Sequence, residues 1–474
     1  MQFKLTLIFL FTVITATFAQ NETVPSLKQE KQPSRYDEDL LSKDFHKGRR
    51  EALRALMPES SVAVFFASPV RNRANDVDFE YHQDPDFYYL TGLNEPDAVL
   101  IIFKDTRKEA DGNNEMIFVQ PRDPKNEVWT GRRMGVDGVE RQLGIQPALV
   151  NEEFFKSGID FSKFNKVYNS RIYNDIRDDA AEKSDLYDIV QTFQKNTERA
   201  SPDVAGLNLM MATLRENKLP EELVLLRKAI TMTCQAEIEL MKALEPGMTE
   251  YQSEAIIEFF FKVNGAEDVG FPSILGSGEN SCILHYVTNR KHLDNPELLV
   301  SDIGAEYHGY TADVTRTIPV KGVFSPEQRA IYQIVYDAQE AGIKQCLKGK
   351  PFQAPHRAAV EVVQNRLMEL GIIKEAAEYR KYFMHGTSHY LGLDVHDAGL
   401  YDLLKVNNVI TVEPGIYIAE GSPCDPKWWN IGVRIEDDVL ITDGAPEVLS
   451  ALAPRKVEEI EALMKEEGLF NKIK

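Results

Sequence analysis

Cysteine is scarce in this chain: Cys234, Cys282, Cys346 and Cys424 are the only four among 474 residues. They are scattered along the sequence, so they do not predict a disulfide framework, and we interpret them as small buried hydrophobic residues. Three common catalytic patterns are also missing: the G-x-S-x-G serine elbow, the H-E-x-x-H zinc pair and the G-x-x-x-x-G-K-S/T phosphate loop. Their absence argues against the hydrolases and nucleotide-binding enzymes that are built on those patterns.

Basic residues are in short supply as well. Lys and Arg number 54 against 74 Asp and Glu, which gives a net charge of −20 and a pI near 5.0. A strongly acidic chain is repelled by the phosphates of nucleic acids and by anionic lipid surfaces. We therefore expect no nucleic-acid partner, and we interpret the charge as serving solubility.

Residues 1–19 have the pattern of a secretory signal peptide. Lys4 supplies the positive start, residues 5–14 the apolar run, and residues 17–19 (TFA) a cleavage site of mostly small residues. The apolar run is shorter than the roughly 20 residues that a membrane span needs, so we expect no stable span once the signal is removed. We predict an exported protein, periplasmic or secreted, whose polar residues 20–37 form a disordered leader.

The length of 474 residues predicts two domains. Residues 61–67 (SVAVFFA) read as a buried strand in a first, mixed half. The pattern breaks before residue 220, and a long helix follows with apolar residues at steps of three and four. We therefore predict domains at 38–215 and 216–474, both of mixed composition, and a fold of the α/β (α+β) class.

Residues 298–320 (LLVSDIGAEYHGYTADVTRTIPV) predict an antiparallel hairpin, because two β-rich arms flank a glycine-containing turn. Each arm carries one aspartate, Asp302 and Asp313. If the two are paired, the turn is centred on Tyr307-His308 and their Cβ atoms lie about 5 Å apart; a wider loop bulging at Gly309 is the alternative. In both cases we expect the two carboxylates on one face, where they could hold metal ions roughly 3.5–4 Å apart.

Later segments supply further donors. Ile283 to Tyr286 is interpreted as an apolar strand carrying His285, and residues 385–397 (HGTSHYLGLDVHD) contain three histidines. Two more predicted strands are 409–418 (VITVEPGIYI) and 432–441 (GVRIEDDVLI). The first carries Glu413, and the second carries Arg434 and Glu436 on one face.

A charged group in an apolar strand is costly unless it is paired or bound to metal. Four predicted strands each carry one such acid: Asp302, Asp313, Glu413 and Glu436. Two divalent cations would balance these four carboxylates and would lower the pKa of a bridging water from 15.7 toward about 7. One imidazole would complete the set. We choose His389, although spacing alone leaves His385, His389 and His396 open.

At these residues the chain resembles the aminopeptidase P (Xaa-Pro aminopeptidase) branch of the metallopeptidases with the pita-bread fold. The matching motifs are SDIGAEYHGYTADVTRT, HGTSHYLGLDVHD, TVEPGIYI and GVRIEDDV, and DFYYLTGLNEPDAVL resembles the amino-terminal domain of the family. The resemblance covers both halves, from about residue 40 to 455. One departure is Ser301, directly before Asp302, where the family usually has an apolar residue.

The resemblance implies a role for each matching position. Asp302 would bind one metal ion, His389 and Glu413 the other, and Asp313 and Glu436 would bridge both. The implied substrate-binding residues are His285, His385, His396 and Arg434. Of these, Arg434 would also hold the metal ligands in register. The implied catalytic residues are Glu413, which would carry a proton to the leaving nitrogen, and His385 and His396, which would stabilise the oxyanion.

The implied activity is release of the amino-terminal residue from peptides with proline in second position, by a metal-bridging hydroxide. The family resemblance also implies two divalent ions per chain, Mn²⁺ being favoured over Zn²⁺ or Co²⁺, and a homodimer or homotetramer. Two alternatives stay open at this point. One is a prolidase, which cuts only Xaa-Pro dipeptides, and the other is a non-catalytic binding protein on the same fold.

Overall fold

The computed structural model describes residues 38–178, 183–294 and 296–472. The predicted signal peptide (1–19) and leader (20–37) lie outside the described residues and stay predictions. Leu40–Lys474 form one compact unit, and the domain boundary placed between residues 215 and 216 also stays a prediction. In the part of the chain that is described, no helix combines the length and apolarity that a membrane crossing requires.

The first half alternates short strands with helices. Its helices are α1 (Lys43–Leu56), α2 (Pro85–Thr91), α3 (Glu127–Thr130), α4 (Gly135–Gly138), α5 (Leu186–Thr197) and α6 (Val204–Arg215). Its strands are β1 (Ser61–Phe66), β2 (Asn72–Ala74), β3 (Val77–Asp78), β4 (Val99–Phe103), β5 (Glu115–Val119), β6 (Ala148–Val150) and β7 (Lys166–Asn169). Five of these strands form one mixed sheet in the order β6-β5-β4-β1-β7.

Strand β1 lies inside that sheet and confirms the buried strand predicted for residues 61–67. It runs antiparallel to β4 and parallel to β7, and every one of its residues is buried. Ala63 and Phe65 pack into one hydrophobic cluster, whereas Val62, Val64 and Phe66 pack into another. Because both faces of the sheet are covered, the strand reads as a continuous apolar run and not as an alternating one.

The second half begins with two long helices and then builds several small sheets. Its helices are α7 (Pro220–Ala243), α8 (Glu250–Val263), α9 (Pro326–Ile343), α10 (Ala354–Glu369) and α11 (Val457–Leu463). Its strands are β8 (Asp268–Val269), β9 (Ile274–Ser277), β10 (Leu298–Ile303), β11 (Ala305–Tyr307), β12 (Tyr310–Thr311), β13 (Val314–Pro319), β14 (Val409–Val412), β15 (Gly415–Ile418), β16 (Ile431–Arg434), β17 (Asp437–Leu440) and β18 (Glu447–Val448). The predicted long helix after residue 220 is confirmed as α7.

The predicted hairpin is present, but its register differs from direct pairing of the two aspartates. Asp302 lies opposite Thr315, and the turn falls on His308-Gly309, whose φ angles are 49° and 79°. Two consecutive residues with positive φ form the turn that matches the twist of a hairpin, and glycine adopts this conformation easily. Asp313 lies two residues before Thr315, so both aspartates still share one face, as predicted.

Two of the predicted strands are interrupted at their acidic residue. Residues 409–418 form β14 and β15, separated at Glu413-Pro414, and residues 432–441 form β16 and β17, separated at Ile435-Glu436. Pro414 has no backbone N–H to give to a neighbouring strand, which explains the first break. At the second, the N–H of Glu436 donates to the carbonyl of Thr315, and this bond draws the chain toward the hairpin.

The strand predicted for residues 283–286 is wrong. Leu284 and His285 lie in a turn that follows a 3₁₀ helix at Gly278–Cys282, and His285 is exposed. The carbonyl of Leu284 accepts a hydrogen bond from the side chain of Arg434 (3.4 Å) and not from a neighbouring strand. Tertiary side-chain bonds therefore outweigh the local preference of this apolar stretch for extended structure.

His46 on α1 gives a pH-dependent stability that can be measured. Its imidazole is buried and donates through Nδ1 to the carbonyl of Tyr89 (3.0 Å). Burial, assisted by the charge of Arg50, lowers the pKa of His46 from 6.5 to about 4. Between these pH values the unfolded chain binds a proton that the folded chain does not, so stability falls as the pH is lowered through this window.

We predict that His46→Gln removes part of this pH dependence. Between pH 7 and 4.5, the free energy of unfolding should decrease by about 2 kcal/mol less in the variant than in the wild-type protein. Urea unfolding at the two pH values measures the difference. Replacement of the exposed His292 by Gln is the control, and equal slopes for wild type and H46Q would contradict the assignment.

Candidate metal centre and active site

Asp313, His389 and Glu436 form a buried group whose ligand atoms all lie within 4.8 Å of one another. The Nε2 atom of His389 is 3.3 Å from Asp313 Oδ2 and 3.9 Å from Glu436 Oε1. It is also 3.6 Å from Glu413 Oε1. Three carboxylates from three separate segments therefore surround one imidazole nitrogen.

Asp302 is the fifth predicted donor, and it lies beside this group. Its charge and a side-chain hydrogen bond both raise the pKa of Asp313, after the larger effect of burial. On its other side, Asp302 Oδ2 accepts a hydrogen bond from Arg434 Nη2 at 2.6 Å. All five predicted ligands are thus brought together, although the first and the last of them are 134 residues apart in the sequence.

The carboxylates carry the signature of a cation site. Asp302 Oδ1, Asp313 Oδ1 and Glu436 Oε1 are buried without a hydrogen-bond partner among the described residues. Burial and mutual repulsion raise the pKa of Asp313 and Glu436 well above the usual range. Since buried carboxylates are stable as anions only beside positive charge, the oxygen-rich donor set fits a divalent metal ion.

The ring of His389 is held in the orientation that a metal ligand requires. Its Nδ1 donates to the carbonyl of Tyr390 at 3.1 Å, so the lone pair of Nε2 points toward the carboxylates. The N–H of His389 is in turn anchored on Thr411 Oγ1 (3.1 Å). Such support from outside the ligand set fixes the tautomer and the direction of the imidazole.

Thr315 is a supporting residue that the sequence reasoning missed. Its hydroxyl donates to Glu436 Oε2 at 2.7 Å and accepts from Arg434 Nε at 3.3 Å. Because it lies directly opposite Asp302 in the hairpin, it shares the face of both aspartates. The alternation of the predicted strand could have identified it, since residues 313 and 315 are two apart.

Asp438 is a second missed residue, and it supports Asp313. Its Oδ2 accepts a hydrogen bond from the backbone N–H of Asp313 at 3.3 Å. Burial raises the pKa of Asp438 well above the usual range. Asp438 lies within the motif GVRIEDDV, but the motif does not reveal its role, because its partner is a backbone group in the distant hairpin.

His385 and Tyr417 form the wall next to Glu413. The Nδ1 of His385 donates to the carbonyl of Gly386, and its Nε2 accepts from the hydroxyl of Tyr417 (2.9 Å). That hydroxyl itself accepts from Arg434 Nη1 at 2.9 Å. Burial, with the Arg434 charge, lowers the pKa of His385 to about 4. Tyr417 was missed, although in the strand predicted for residues 409–418 it would share a face with Glu413, four residues before it.

The other two predicted histidines are His396 and His285. The ring of His396 is 4.3 Å from that of His389, centroid to centroid, in an edge-to-face arrangement. Burial lowers the pKa of His396, and the nearby His389 and His285 also lower it. His285 is exposed on its turn. His385, His396 and Arg434 therefore lie beside the metal-centre residues, and His285 lies near His396, while their individual roles stay predictions.

Two parts of the chain match the descriptions of known protein families. Residues 224–443 match the description "Metallopeptidase family M24", and residues 46–163 match "Aminopeptidase P, N-terminal domain". The chain is 36% identical to the Xaa-Pro aminopeptidase of Escherichia coli strain K12 over 446 residues, which covers 90% of this chain and 98% of that protein.

Solved structures give the same result. The structure of Pseudomonas aeruginosa aminopeptidase PepP is 34% identical, with a TM-score of 0.81 over 90% of this chain and 99% of that chain. Escherichia coli aminopeptidase P with the inhibitor Pro-Leu is also 34% identical, with a TM-score of 0.80 over the same shares.

The fold and the site define a metallopeptidase of family M24. More narrowly, the chain belongs to the aminopeptidase P branch of that family, since it carries the amino-terminal domain of that branch together with the pita-bread domain. The predicted family, the mixed α/β fold class and the prediction of a metallopeptidase are confirmed.

We predict that a divalent metal ion binds the buried carboxylates and thereby stabilises the folded protein. Adding Mn²⁺ to chelator-treated protein should raise the thermal midpoint, because the ion binds only the folded chain; an excess of 100 Kd corresponds to about 2.7 kcal/mol. Asp313→Asn should reduce this gain strongly. Without metal, the variant should be at least as stable as wild type, because one repelling charge is removed.

Differential scanning calorimetry with and without Mn²⁺ measures both effects. Replacement of the exposed Glu152 by Gln provides a control that keeps the whole group. An equal Mn²⁺ shift in wild type and D313N would show that the ion binds elsewhere.

Proposed function

We propose that this chain is an Xaa-Pro aminopeptidase, which hydrolyses the peptide bond between the first residue and a proline in second position. The observation that carries the proposal is the group of three carboxylates around the Nε2 atom of His389, with Asp302 beside it. It is supported by relatives that have this name and 98% of whose length this chain covers. The amino-terminal domain of the aminopeptidase P branch supports the same assignment.

We propose two divalent ions per chain, with Mn²⁺ favoured and Zn²⁺ or Co²⁺ as alternatives. Asp302 would hold one ion, His389 and Glu413 the other, and Asp313 and Glu436 would bridge them. The donor set supports this count, since four negative charges balance two doubly charged ions. Ions bound there would lower the pKa of water toward neutrality and polarise the carbonyl of the substrate.

The two carboxylate oxygens of Glu413 face two different histidines. Its Oε1 faces His389 Nε2 at 3.6 Å, and its Oε2 lies 3.6 Å from His385 Nδ1. The carboxylate of Glu413 therefore lies between the proposed metal ligand His389 and the predicted substrate-binding residue His385. We propose that it carries the proton to the nitrogen of the leaving proline, as a general acid and base does.

The histidines bind and orient the peptide. His385 is held by Tyr417, which in turn is held by Arg434. His396 packs against the ring of His389. Groups held in place in this way would stabilise the oxyanion without rearrangement. The nitrogen of a proline residue in a peptide is tertiary, so it carries no N–H, and the ring bends the chain. The rigid site formed by His385, Tyr417 and Arg434 would therefore favour peptides with this bend.

The location, the oligomeric state and the partners of the protein are proposed as well. We propose export by the signal-like residues 1–19, to the periplasm or the medium, on the basis of their charge and apolar run. We also propose a homodimer or homotetramer, which is supported by the family resemblance alone. The net charge of −20 supports the absence of a nucleic-acid partner.

A substrate panel with Mn²⁺ tests the activity. We expect tripeptides and longer peptides with proline second to lose their first residue, and matched peptides with alanine second to remain intact. Chelation should abolish turnover. Cleavage of Xaa-Pro dipeptides alone would identify a prolidase, and metal-loaded protein without any cleavage would identify a binding protein.

Glu413→Gln should lower kcat by about 100-fold or more, because the proton carrier is lost. Metal content, measured by elemental analysis, must be matched to wild type, since Glu413 is also a predicted ligand. Glu420→Gln changes an exposed glutamate just after the same strand and should leave kcat unchanged. Near-normal turnover of metal-replete E413Q would refute the proposed role.

A further inference from the structure

The segment Ser277–Lys291, which we call the histidine loop, carries the substrate histidine His285. It leaves the sheet at the end of β9 and contains the 3₁₀ helix Gly278–Cys282 and the turn at Leu284 and His285. A loop of this length has few backbone partners of its own. Side-chain hydrogen bonds must therefore hold the loop, and with it His285, near the carboxylates of the metal centre.

The carboxylate of Glu250 collects five hydrogen bonds from this one loop. Its Oε1 accepts from the N–H and the hydroxyl of Ser277, both at 2.8 Å, and from Asn280 Nδ2 at 3.1 Å. Its Oε2 accepts from the hydroxyl of Tyr286 and from the N–H of Lys291, both at 2.9 Å. The donors include the first and the last residue of the loop, so this side chain joins its two ends, and Asn289 adds bonds to Leu275 and Ser273.

Glu250 is suited to this task by its position. It is fully buried and occupies the first turn of α8, where the helix dipole favours a negative charge. Its own N–H donates to the carbonyl of Lys291 at 2.9 Å. A buried carboxylate that accepts this many bonds is rigid, and bonds to an ionised acceptor are stronger than neutral ones.

His285 lies between two anchored neighbours. On one side the carbonyl of Leu284 accepts from Arg434 Nη2 (3.4 Å), which also binds Asp302 of the metal group. On the other side Tyr286 is held by Glu250. The exposed imidazole between them is therefore fixed through its backbone, with one anchor on the catalytic side and one on α8.

We propose that Glu250 is a positioning residue for His285, which it holds against the substrate by closing the histidine loop. This inference rests on the substrate contact that the proposed function gives to His285. Glu250 itself does not touch the reacting atoms. Its removal therefore acts on turnover through His285, and not through the metal ions.

Glu250→Gln is the main variant, because it keeps the size of the side chain. An amide has only one acceptor oxygen, so in either orientation its NH₂ group faces two or three donors that the carboxylate satisfied. We expect kcat/KM for a proline-second tripeptide to fall by about 10- to 100-fold, as for a small displacement of a substrate-contacting group. Metal content should equal that of wild type.

A double-mutant cycle with His285→Ala separates positioning from general damage. If Glu250 acts through His285, the E250Q/H285A double variant should be no slower than the slower of the two single variants. Multiplied losses would overturn the proposal, and so would wild-type kcat/KM in E250Q.

Tyr286→Phe keeps the test decisive if E250Q does not fold. It removes a single donor, so we expect a smaller loss of kcat/KM that again disappears in the H285A background. Tyr332→Phe is the matched control, because the buried hydroxyl of Tyr332 also makes one bond, to the carbonyl of Arg455 (2.8 Å), which lies outside the histidine loop. An equal loss in both tyrosine variants would overturn the proposal.

Hydrogen exchange gives a readout that does not depend on activity. In E250Q the amides of the histidine loop should exchange faster, above all those of Ser277 and Lys291, while β10 and α9 remain protected. If the wild-type enzyme fails to cleave proline-second peptides, the proposed function fails, and this exchange pattern alone decides whether Glu250 holds the loop. Unchanged exchange would overturn the proposal in either case.

Discussion

Four carboxylates confined in a buried pocket form the constraint on which the rest of this structure depends. Asp302, Asp313, Glu413 and Glu436 repel one another, and three of their oxygen atoms lack a hydrogen-bond partner within the described residues. Without positive charge nearby, such a group would take up protons or open the fold. The fold tolerates it because the donors converge where divalent cations can bind, and because a basic side chain supports the group from one side.

Arg434 is that basic side chain. It binds Asp302, the hydroxyl of Tyr417, the hydroxyl of Thr315 and the carbonyl of Leu284. Its guanidinium therefore joins the hairpin, the wall that carries His385 and the histidine loop. A planar group with several donors in fixed directions can set the distances between these parts, which lysine could not do.

Two breaks in the strands coincide with acids of this group. The strands are interrupted at Glu413, beside Pro414, and at Glu436, whose N–H donates to the carbonyl of Thr315. Both acids face His389 Nε2 from these breaks. Glu250 is another buried carboxylate that organises the chain around it, since its hydrogen bonds join the two ends of the histidine loop.

The sequence by itself determined the donor set, the fold class and most of the long elements. Asp302, Asp313, His389, Glu413 and Glu436 could be chosen because acids in apolar strands need compensation, and the motifs around them resemble a known family. Helix α7 follows from the period of its apolar residues, and the buried strand β1 follows from its short continuous apolar run. These are local signals, which a chain carries irrespective of its partners.

Only the tertiary structure decided the hairpin register, the turn at His285 and the supporting contacts of Thr315, Tyr417 and Asp438. The turn moved to His308-Gly309 because two residues there accept positive φ, and the extended preference of residues 283–286 gave way to bonds with Arg434 and Glu250. These partners lie far away in sequence. Local periodicity contains no information about such contacts, because their energy arises only once distant segments are packed together.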